Sequence, residues 1–329
     1  MLFINNHTKI FSPLANEQGG DIQSVLVRTP ATVANMVCGF DILGFAVEEP
    51  YDTMQLSKTN QQGLTIIHED NYGLSCDPSQ NVAGVALLSL LEEANLKNTG
   101  LELRIHKQIK PGSGVGSSAA SAAGAVVAAN VLLQRNYQND DLVRFAMNGE
   151  KLASGVKHAD NIAPCIYGGV TLIRSIFPLD IISLPSPDLF VTIVHPQIEI
   201  RTSDARSILK QNVQLRDAIR QWGNIGGLVA GLMKGDHALI GRSLEDVLIE
   251  PVRSILIPGF DAVKKKSKEA GALGGGISGS GPSIFMLSSD YLTALHVEQE
   301  MKAIYSAMAL DYHTYVTRIC SKGITVTIQ

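Results

Sequence analysis

The sequence predicts an α+β protein of two domains. Three observations carry this. The chain has 329 residues, more than one hydrophobic core usually organises. Strands and helices alternate in both halves without a long run of βαβ units. Composition changes at Pro178, Pro185 and Pro187, which divides the chain into 1–187 and 188–329.

The elements follow in order. Residues 5–24 are polar and read as a loose or edge-pairing lead-in. Val25–Val27 is a short strand. Residues 28–44, punctuated by Pro30 and Gly39, read as a loop or helical turn, in which Asn35 and Asp41 are polar side chains needing partners in an apolar setting. Tyr51–Lys58 and Gly63–His68 read as strands, and Asn81–Asn95 as an amphipathic helix that Asn81 caps. The alternating Leu101–Lys107 is a strand leading to a Gly-rich loop and a helix over 117–135. Asp140 and Asp141 cap a helix to Ser154, and 155–164 is a polar loop. Gly169–Arg174 and Leu189–His195 are strands. The second half reads as helices over 203–221, 223–250 and 259–271, a Gly-rich connection 271–282, strand Ser283–Ser288, helix 290–308 and strands Tyr312–Ile319 and Ile324–Ile328.

Composition narrows the function classes. The chain is 45% hydrophobic and 18% charged, with net charge −4, so it offers no general polyanion surface. Only 5% of residues are aromatic, with one Trp, thin for a base-stacking platform; no nucleic-acid partner is expected. Cys38, Cys76, Cys165 and Cys320 form no C-x-x-C pair and read as reduced thiols. Met1–Ser24 lacks a signal-peptide pattern. The most apolar run, Ala119–Leu133, contains Ser121 and Asn130 and falls short of a membrane span. No membrane partner and a cytoplasmic location are expected.

The stretch Lys110-Pro-Gly-Ser-Gly-Val-Gly-Ser-Ser-Ala-Ala-Ser121 organises the chain. Its alternating glycines let backbone approach a ligand, and it runs into a helix N-terminus whose free N–H groups suit a phosphate. No Lys precedes Ser117, as a P-loop requires. No acid follows about 20 residues on at a strand end, as a dinucleotide fingerprint requires. No protein-kinase Val-Ala-x-Lys or His-Arg-Asp set exists.

Pro111-Gly-Ser-Gly-Val-Gly-Ser-Ser-Ala119 resembles the phosphate loop of the GHMP kinases. Gly274-Gly-Gly-Ile-Ser-Gly-Ser-Gly-Pro-Ser283 is similar to that family's C-terminal Gly-rich motif, and Pro30-Ala-Thr-Val-Ala-Asn-Met-Val-Cys-Gly-Phe-Asp41 to its N-terminal substrate motif. Within the superfamily, His158-Ala-Asp-Asn-Ile-Ala-Pro164 and Glu250-Pro-Val-Arg253 resemble segments of the homoserine kinases. The chain departs from the usual pattern at Val33, Cys38 and Val115, none of which removes a reactive group. The resemblance implies a ribosomal S5 domain 2-like N-terminal domain and a ferredoxin-like C-terminal domain. It implies ATP-dependent phosphorylation of the L-homoserine side-chain hydroxyl in threonine biosynthesis, with ATP and Mg²⁺ required. A homodimer is compatible with the sequence.

The resemblance also implies roles. Pro111, Gly112, Ser113, Gly114, Val115, Gly116, Ser117, Ser118, Ala119, Ala120 and Ser121 bind the nucleotide. Glu150 and a serine of the Ser117/Ser118 pair hold Mg²⁺. Arg206 and Arg253 take the substrate carboxylate, and their planar forks suit it. Asn35, Asp41, His158 and Asn161 take its ammonium and hydroxyl. Two local features fit. Glu150 lies near a helix C-terminus, where the dipole disfavours a carboxylate unless a cation offsets it. Arg206 is expected in the first turn of a helix capped by Thr202 or Ser203, a position that costs a cation about 0.3–1 kcal/mol and that a bound anion would relieve. Asp160 and Asn161 are adjacent, and the sequence does not say which faces the reacting hydroxyl; the resemblance implies Asn, with no strong base. The rivals are a mevalonate-type GHMP kinase, a non-catalytic nucleotide sensor on the same fold and an interaction module with the Gly loop as linker. Glu150 and the serine pair argue against a sensor, and three ordered motifs against a linker.

Overall fold

The structure is a computed structural model that describes residues 21–329, so most of the predicted lead-in lies outside the described residues. The first half contains β1 (Ser24–Ala34), β2 (Leu43–Lys58), β3 (Leu64–His68), α1 (Val82–Glu93), β4 (Leu101–His106), α2 (Ser117–Leu132), α3 (Asn139–Ser154), α4 (Ile162–Tyr167), β5 (Val170–Ile176) and β6 (Leu179–Leu184). The second contains β7 (Phe190–Pro196), α5 (Thr202–Ser207), α6 (Leu215–Lys234), α7 (His237–Ser243), α8 (Glu250–Arg253), a 3₁₀ turn (Ser254–Leu256), α9 (Phe260–Glu269), β8 (Gly274–Ile277), β9 (Ile284–Ser288), α10 (Tyr291–Ala307), β10 (Tyr312–Arg318) and β11 (Thr325–Ile328).

The first sheet runs β11-β1-β2-β4-β3, with the hairpin β5–β6 attached to the start of β2. All its pairs are antiparallel except β3–β4. The second sheet is antiparallel in the order β10-β7-β9-β8, the arrangement of a split βαββαβ unit. The chain passes from one sheet to the other between Leu184 and Phe190, beside the expected boundary, but β11 returns to pair with β1. A division at 187/188 therefore does not separate the sheets completely.

Helix α2 is the core of the first half. From Ala119 to Ala129 every residue is buried. Its small side chains let it lie close on the sheet: a Cβ at Gly124 would stand 2.5 Å from Thr29 Cγ2. Helices α1 and α3 pack on the same face. Inner-face residues of the second sheet, such as Ile193 and Phe285, join this core, and Phe285 meets Phe45 edge to face at 5.5 Å. The outer face packs a smaller cluster of Val194, Met286, Val263, Met301 and Tyr305.

Several expected boundaries change. Residues 28–34 extend β1, and β2 begins at Leu43, so the expected loop shrinks to 35–42. Pro178 lies in the turn between β5 and β6 instead of at a domain boundary. The polar loop 155–164 contains the start of α4, and Gly274–Ile277 is a strand. The expected helices 203–221 and 223–250 are four segments. Gly223 does not stop α6, because an interior Gly costs only about 1 kcal/mol. Gly235, with φ 65°, ends α6, and the Asp236 side chain accepts from Leu239 N to start α7. Asp140 and Asp141 lie in the first turn of α3, where Asp141 accepts from the Gln138 N–H that precedes the helix. No helix of the described residues is long and apolar enough to cross a membrane.

Candidate active site

A cleft of about 390 Å³ lies between the two halves, with the Gly-rich loop along one wall. Gly112, Gly114 and Gly116 all have left-handed φ, at 73°, 83° and 73°. At Gly114 a Cβ would meet Gly281 O at 2.5 Å, and at Gly116 it would meet Thr32 Oγ1 at 2.0 Å. Both positions require glycine because other chain segments press on the loop. Thr32 N donates to Val115 O (3.1 Å), Ser283 N to Ser113 O (3.2 Å) and Ser278 Oγ to Gly114 O (2.8 Å). The C-terminal Gly-rich turn thus braces the loop with small residues. The first helical bond of α2 runs from Ala120 N to Gly116 O, which leaves the N–H groups of 117–119 as the orphan donors of a helix start.

The two serines separate. Ser117 Oγ donates to Ile109 O at 2.8 Å and is buried. Ser118 Oγ faces the cleft and donates to Glu150 Oε2 at 2.9 Å. Pro111, Gly112, Gly114, Gly116, Ser117, Ser118 and Ser121 line the cleft; Ser113, Val115, Ala119 and Ala120 are buried and not among the lining residues. Glu150 projects from the last turns of α3 and is almost wholly buried. Burial pushes its carboxyl up, against the pull of His158 and Ser118.

His158 joins Glu150 to Asp160. Its Nδ1 lies 2.9 Å from Asp160 Oδ1 and its Nε2 3.4 Å from Glu150 Oε1. Burial opposes the imidazolium, but Asp160, Glu150 and Asp41 together outweigh it and push the group up to about 9. Asn161, at the start of α4, points the other way: its Oδ1 accepts from Thr32 Oγ1 at 2.8 Å, beside Gly116.

The far end of the cleft holds the charged pair. Arg206 grips Asp41 with both guanidinium nitrogens, at 2.8 and 3.0 Å, and about a third of the Asp41 side chain stays exposed to the cleft. Arg253 is buried; its Nε donates to Ala205 O and its Nη1 to Gly279 O. Burial and the neighbouring Arg206 push it down to about 10. The Phe40 ring lies 5.4 Å from Arg206 Cζ and 4.9 Å from Arg253 Cζ. Asn35 donates to Gly279 O and accepts from Asp41 N, so most of its capacity goes into holding the loop. Asn35, Met36, Val37 and Asp41 all take left-handed φ, a conformation that a β-branched residue such as Val37 rarely adopts. One expectation fails in its reason. Helix α5 has only six residues, its N-cap is Arg201, and Arg206 lies in its last turn, where the dipole favours a cation.

Two further residues support the loop from below. Lys107 Nζ donates to Asp52, to Ser121 Oγ (2.9 Å) and to Ser117 O (3.2 Å), and both charged side chains are fully buried. The signal for them was strand parity. Lys107 continues the inward set Leu101, Leu103 and Ile105, and Asp52 the inward set with Met54 and Leu56. Thr32 and Phe40 sit inside the N-terminal motif, but nothing in their residue type marks them.

Residues 81–169 match the model of the GHMP kinases N terminal domain and residues 228–307 that of the GHMP kinases C terminal domain. The chain is 46% identical over 316 residues to the homoserine kinase of Chlorobium phaeovibrioides, covering 92% of this chain and 99% of that protein. It is 44% identical over 311 residues to that of Chlorobium phaeobacteroides, covering 90% and 97%. The chain belongs to the homoserine kinase family. A crystal structure of homoserine kinase from Cytophaga hutchinsonii superposes with a TM-score of 0.89 at 46% identity, over 94% of this chain and 99% of that one. The fold is wider than the family: mevalonate kinase from L. major, solved with R-mevalonate, superposes at 0.69 with 17% identity over 89% and 94%. The two-domain α+β architecture is that of the GHMP kinases, and the chain is a kinase of the homoserine kinase family with ATP as its phosphoryl donor.

Proposed function

We propose that this chain transfers the γ-phosphoryl group of ATP to the side-chain hydroxyl of L-homoserine, giving O-phospho-L-homoserine and ADP. The observation that carries this is the Asp41–Arg206 pair, which faces the same cleft as the Gly-rich loop, with Asn161 between them. An amino-acid zwitterion presents an ammonium and a carboxylate together. Asp41 meets the first, while Arg206, and Arg253 behind it, meet the second. The side chain then extends towards Gly116 and Asn161. Binding exchanges one internal ion pair for two external ones, so the cleft charges are balanced with and without substrate.

The orphan N–H groups at the start of α2 hold the phosphates. Glu150 and Ser118 fit Mg²⁺: one carboxylate and one hydroxyl stand together, and burial leaves that carboxylate in need of a cation. Among the described residues no group of three His, Cys, Asp or Glu side chains could hold an ion alone, which suits a metal carried mainly by phosphate and water. When bound, Mg²⁺ neutralises charge on the transferring phosphates. Asn161 orients the hydroxyl. Asp160 gives one oxygen to His158 and acts by holding that ring, not as a base. The bond from phosphorus to the β-phosphate bridging oxygen breaks, the bond to the homoserine oxygen forms, and the hydroxyl proton passes late to an oxygen of the transferred phosphoryl group, as a loose transition state permits. The reduced thiols and the ATP requirement support a cytoplasmic site of action.

ADP release measured with L-homoserine, L-serine, mevalonate and galactose tests the reading. Turnover with L-homoserine far above the others is expected. Turnover only with mevalonate would overturn the substrate, and none with any acceptor would overturn the activity.

A further inference from the structure

Among the described residues, the basic side chains that line the cleft have partners that hold them, with one exception. Lys107 is held by Asp52, Arg206 by Asp41, and Arg253 by the carbonyls of Ala205 and Gly279. His158 lies between Asp160 and Glu150, and His68 between Asp70 and Asn81. Arg201 differs. It lines the cleft with 75% of its side chain exposed, and its only ion pair among the described residues is with Glu199, whose Oε1 lies 4.0 Å from its Nε. Glu199 is as exposed as Arg201, and so loose a surface pair contributes little to stability.

The fold gives no reason for an arginine here. Arg201 is the N-cap of α5, a position where Ser, Thr, Asp or Asn supplies a side-chain acceptor, and it makes no such bond. A cation beside a helix N-terminus is also disfavoured by the dipole. Its backbone is nevertheless fixed, for Arg201 O accepts from Asp204 N and Ala205 N, each at 3.0 Å. The segment runs beside the phosphate loop. A Cβ on Gly112 would stand 3.7 Å from Glu199 Cγ. Thr202 Oγ1 lies 3.3 Å from Ser280 Oγ, in the same turn whose Ser278 hydroxyl donates to Gly114 O. A fixed backbone thus carries an uncommitted guanidinium at the phosphate end of the cleft.

We propose that Arg201 is a catalytic residue that leaves Glu199 and grips the γ-phosphoryl oxygens of ATP. This rests on the transfer proposed above. The need is electrostatic. The loop from Pro111 to Ser121 contains no lysine, and the charge of Lys107 beneath it is already matched by Asp52. Mg²⁺ and the N–H groups of 117–119 neutralise only part of a triphosphate. No strong base assists the acceptor, so stabilising the transferring group is the main lever left. A guanidinium fork meets phosphoryl oxygens in pairs. Arg201 forms no covalent bond and takes no proton; the bonds made and broken are those of the transfer itself.

The test compares the wild type, Arg201→Ala and Arg201→Lys as full chains. It reads turnover of ATP with L-homoserine, and calorimetric binding of ADP and of the imido analogue of ATP, with Mg²⁺ present. Arg201→Ala should lower kcat about 10³-fold, the lower end of what an arginine on a transferring phosphoryl group contributes. Its melting temperature and its KM for L-homoserine should stay close to wild type, because the side chain is exposed and lies away from the Asp41–Arg206 pair. It should bind the imido analogue about tenfold more weakly and ADP within about twofold, since only the analogue has γ-oxygens. Arg201→Lys restores the charge without the fork and should recover about tenfold of the lost kcat. The proposal is overturned by a kcat of Arg201→Ala within about threefold of wild type, by a lysine no better than alanine, or by an analogue affinity that changes no more than that of ADP. A wild type that does not turn over L-homoserine strikes the acceptor instead, and the comparison of ADP with the analogue then judges Arg201 by itself.

Discussion

Asp160 spends one carboxylate oxygen on the His158 ring, whereas the Asn161 amide oxygen stands beside Gly116 and the Thr32 hydroxyl. The sequence left these neighbours undivided because both are short polar residues in one motif; the turn that leads into α4 sends their side chains to different partners. Asp160→Asn is expected to keep kcat within about tenfold, while Asn161→Ala lowers it about 10²-fold with nucleotide binding intact. Abolished turnover in Asp160→Asn, with nucleotide still bound, would restore the base role. His158 supplies a pH prediction. Its folded value of about 9 lies above the ordinary histidine value, so its stabilising contribution is complete below about 6.5 and is lost as pH rises through 9. Glu150, also raised, acts in the same direction. The melting temperature of the nucleotide-free protein should fall between pH 6.5 and 9, and His158→Gln should flatten that slope. Ser117 and Ser118 show a similar limit of legibility. Both types fit the metal, and only the helix phase sends one inward to Ile109 O and the other to Glu150.

The strand–loop–helix unit of β4 and α2 was legible almost whole, because glycine spacing, strand alternation and an uncharged alanine run all agree there. The hidden part is the buried Lys107–Asp52 pair beneath it. Charged residues at inward parity in two different strands signal such a pair only if the strands are known to be neighbours, and β2–β4 adjacency is a tertiary fact. Lys107→Met should cost about 3–5 kcal/mol in urea unfolding, since it leaves the buried Asp52 carboxylate without its cation, held only by the N–H groups of Gln108 and Ile109; adding Asp52→Asn should recover part of that loss. Equal stability of the single and double variants would show that the pair is not coupled. Elements without a clear period fared worse. Residues 28–34 look like a loop because Pro30 interrupts them, yet Pro30 lies within β1 just before the register shift between Pro30 and Thr32. The α5–α8 region was misdivided because Gly223 resembles a helix stop and is not one.

At the scale of the molecule, the two motifs that approach the phosphate loop come from opposite ends of the chain: Thr32 from β1 and Ser278 from the turn after β8. The Asp41–Arg206 pair likewise joins the first 41 residues to α5. Order along the sequence made these motifs recognisable, but not that they meet. Strand β11 adds a further long-range tie, for Val25 pairs with Ile328. Deleting residues 325–329 should strip the outer partner from β1, bare a row of backbone donors and acceptors, and shift the product towards aggregation. Sedimentation of the truncated chain after expression measures this.

The β1–β11 pair also sets an order in time. A chain leaving the ribosome folds from its N-terminal end, and this side of β1 gains its partner only once residues 325–328 have been made, roughly three hundred residues after β1 itself. An unpaired edge strand invites pairing with another chain, so the interval between the synthesis of β1 and that of β11 is when this sheet most needs cover.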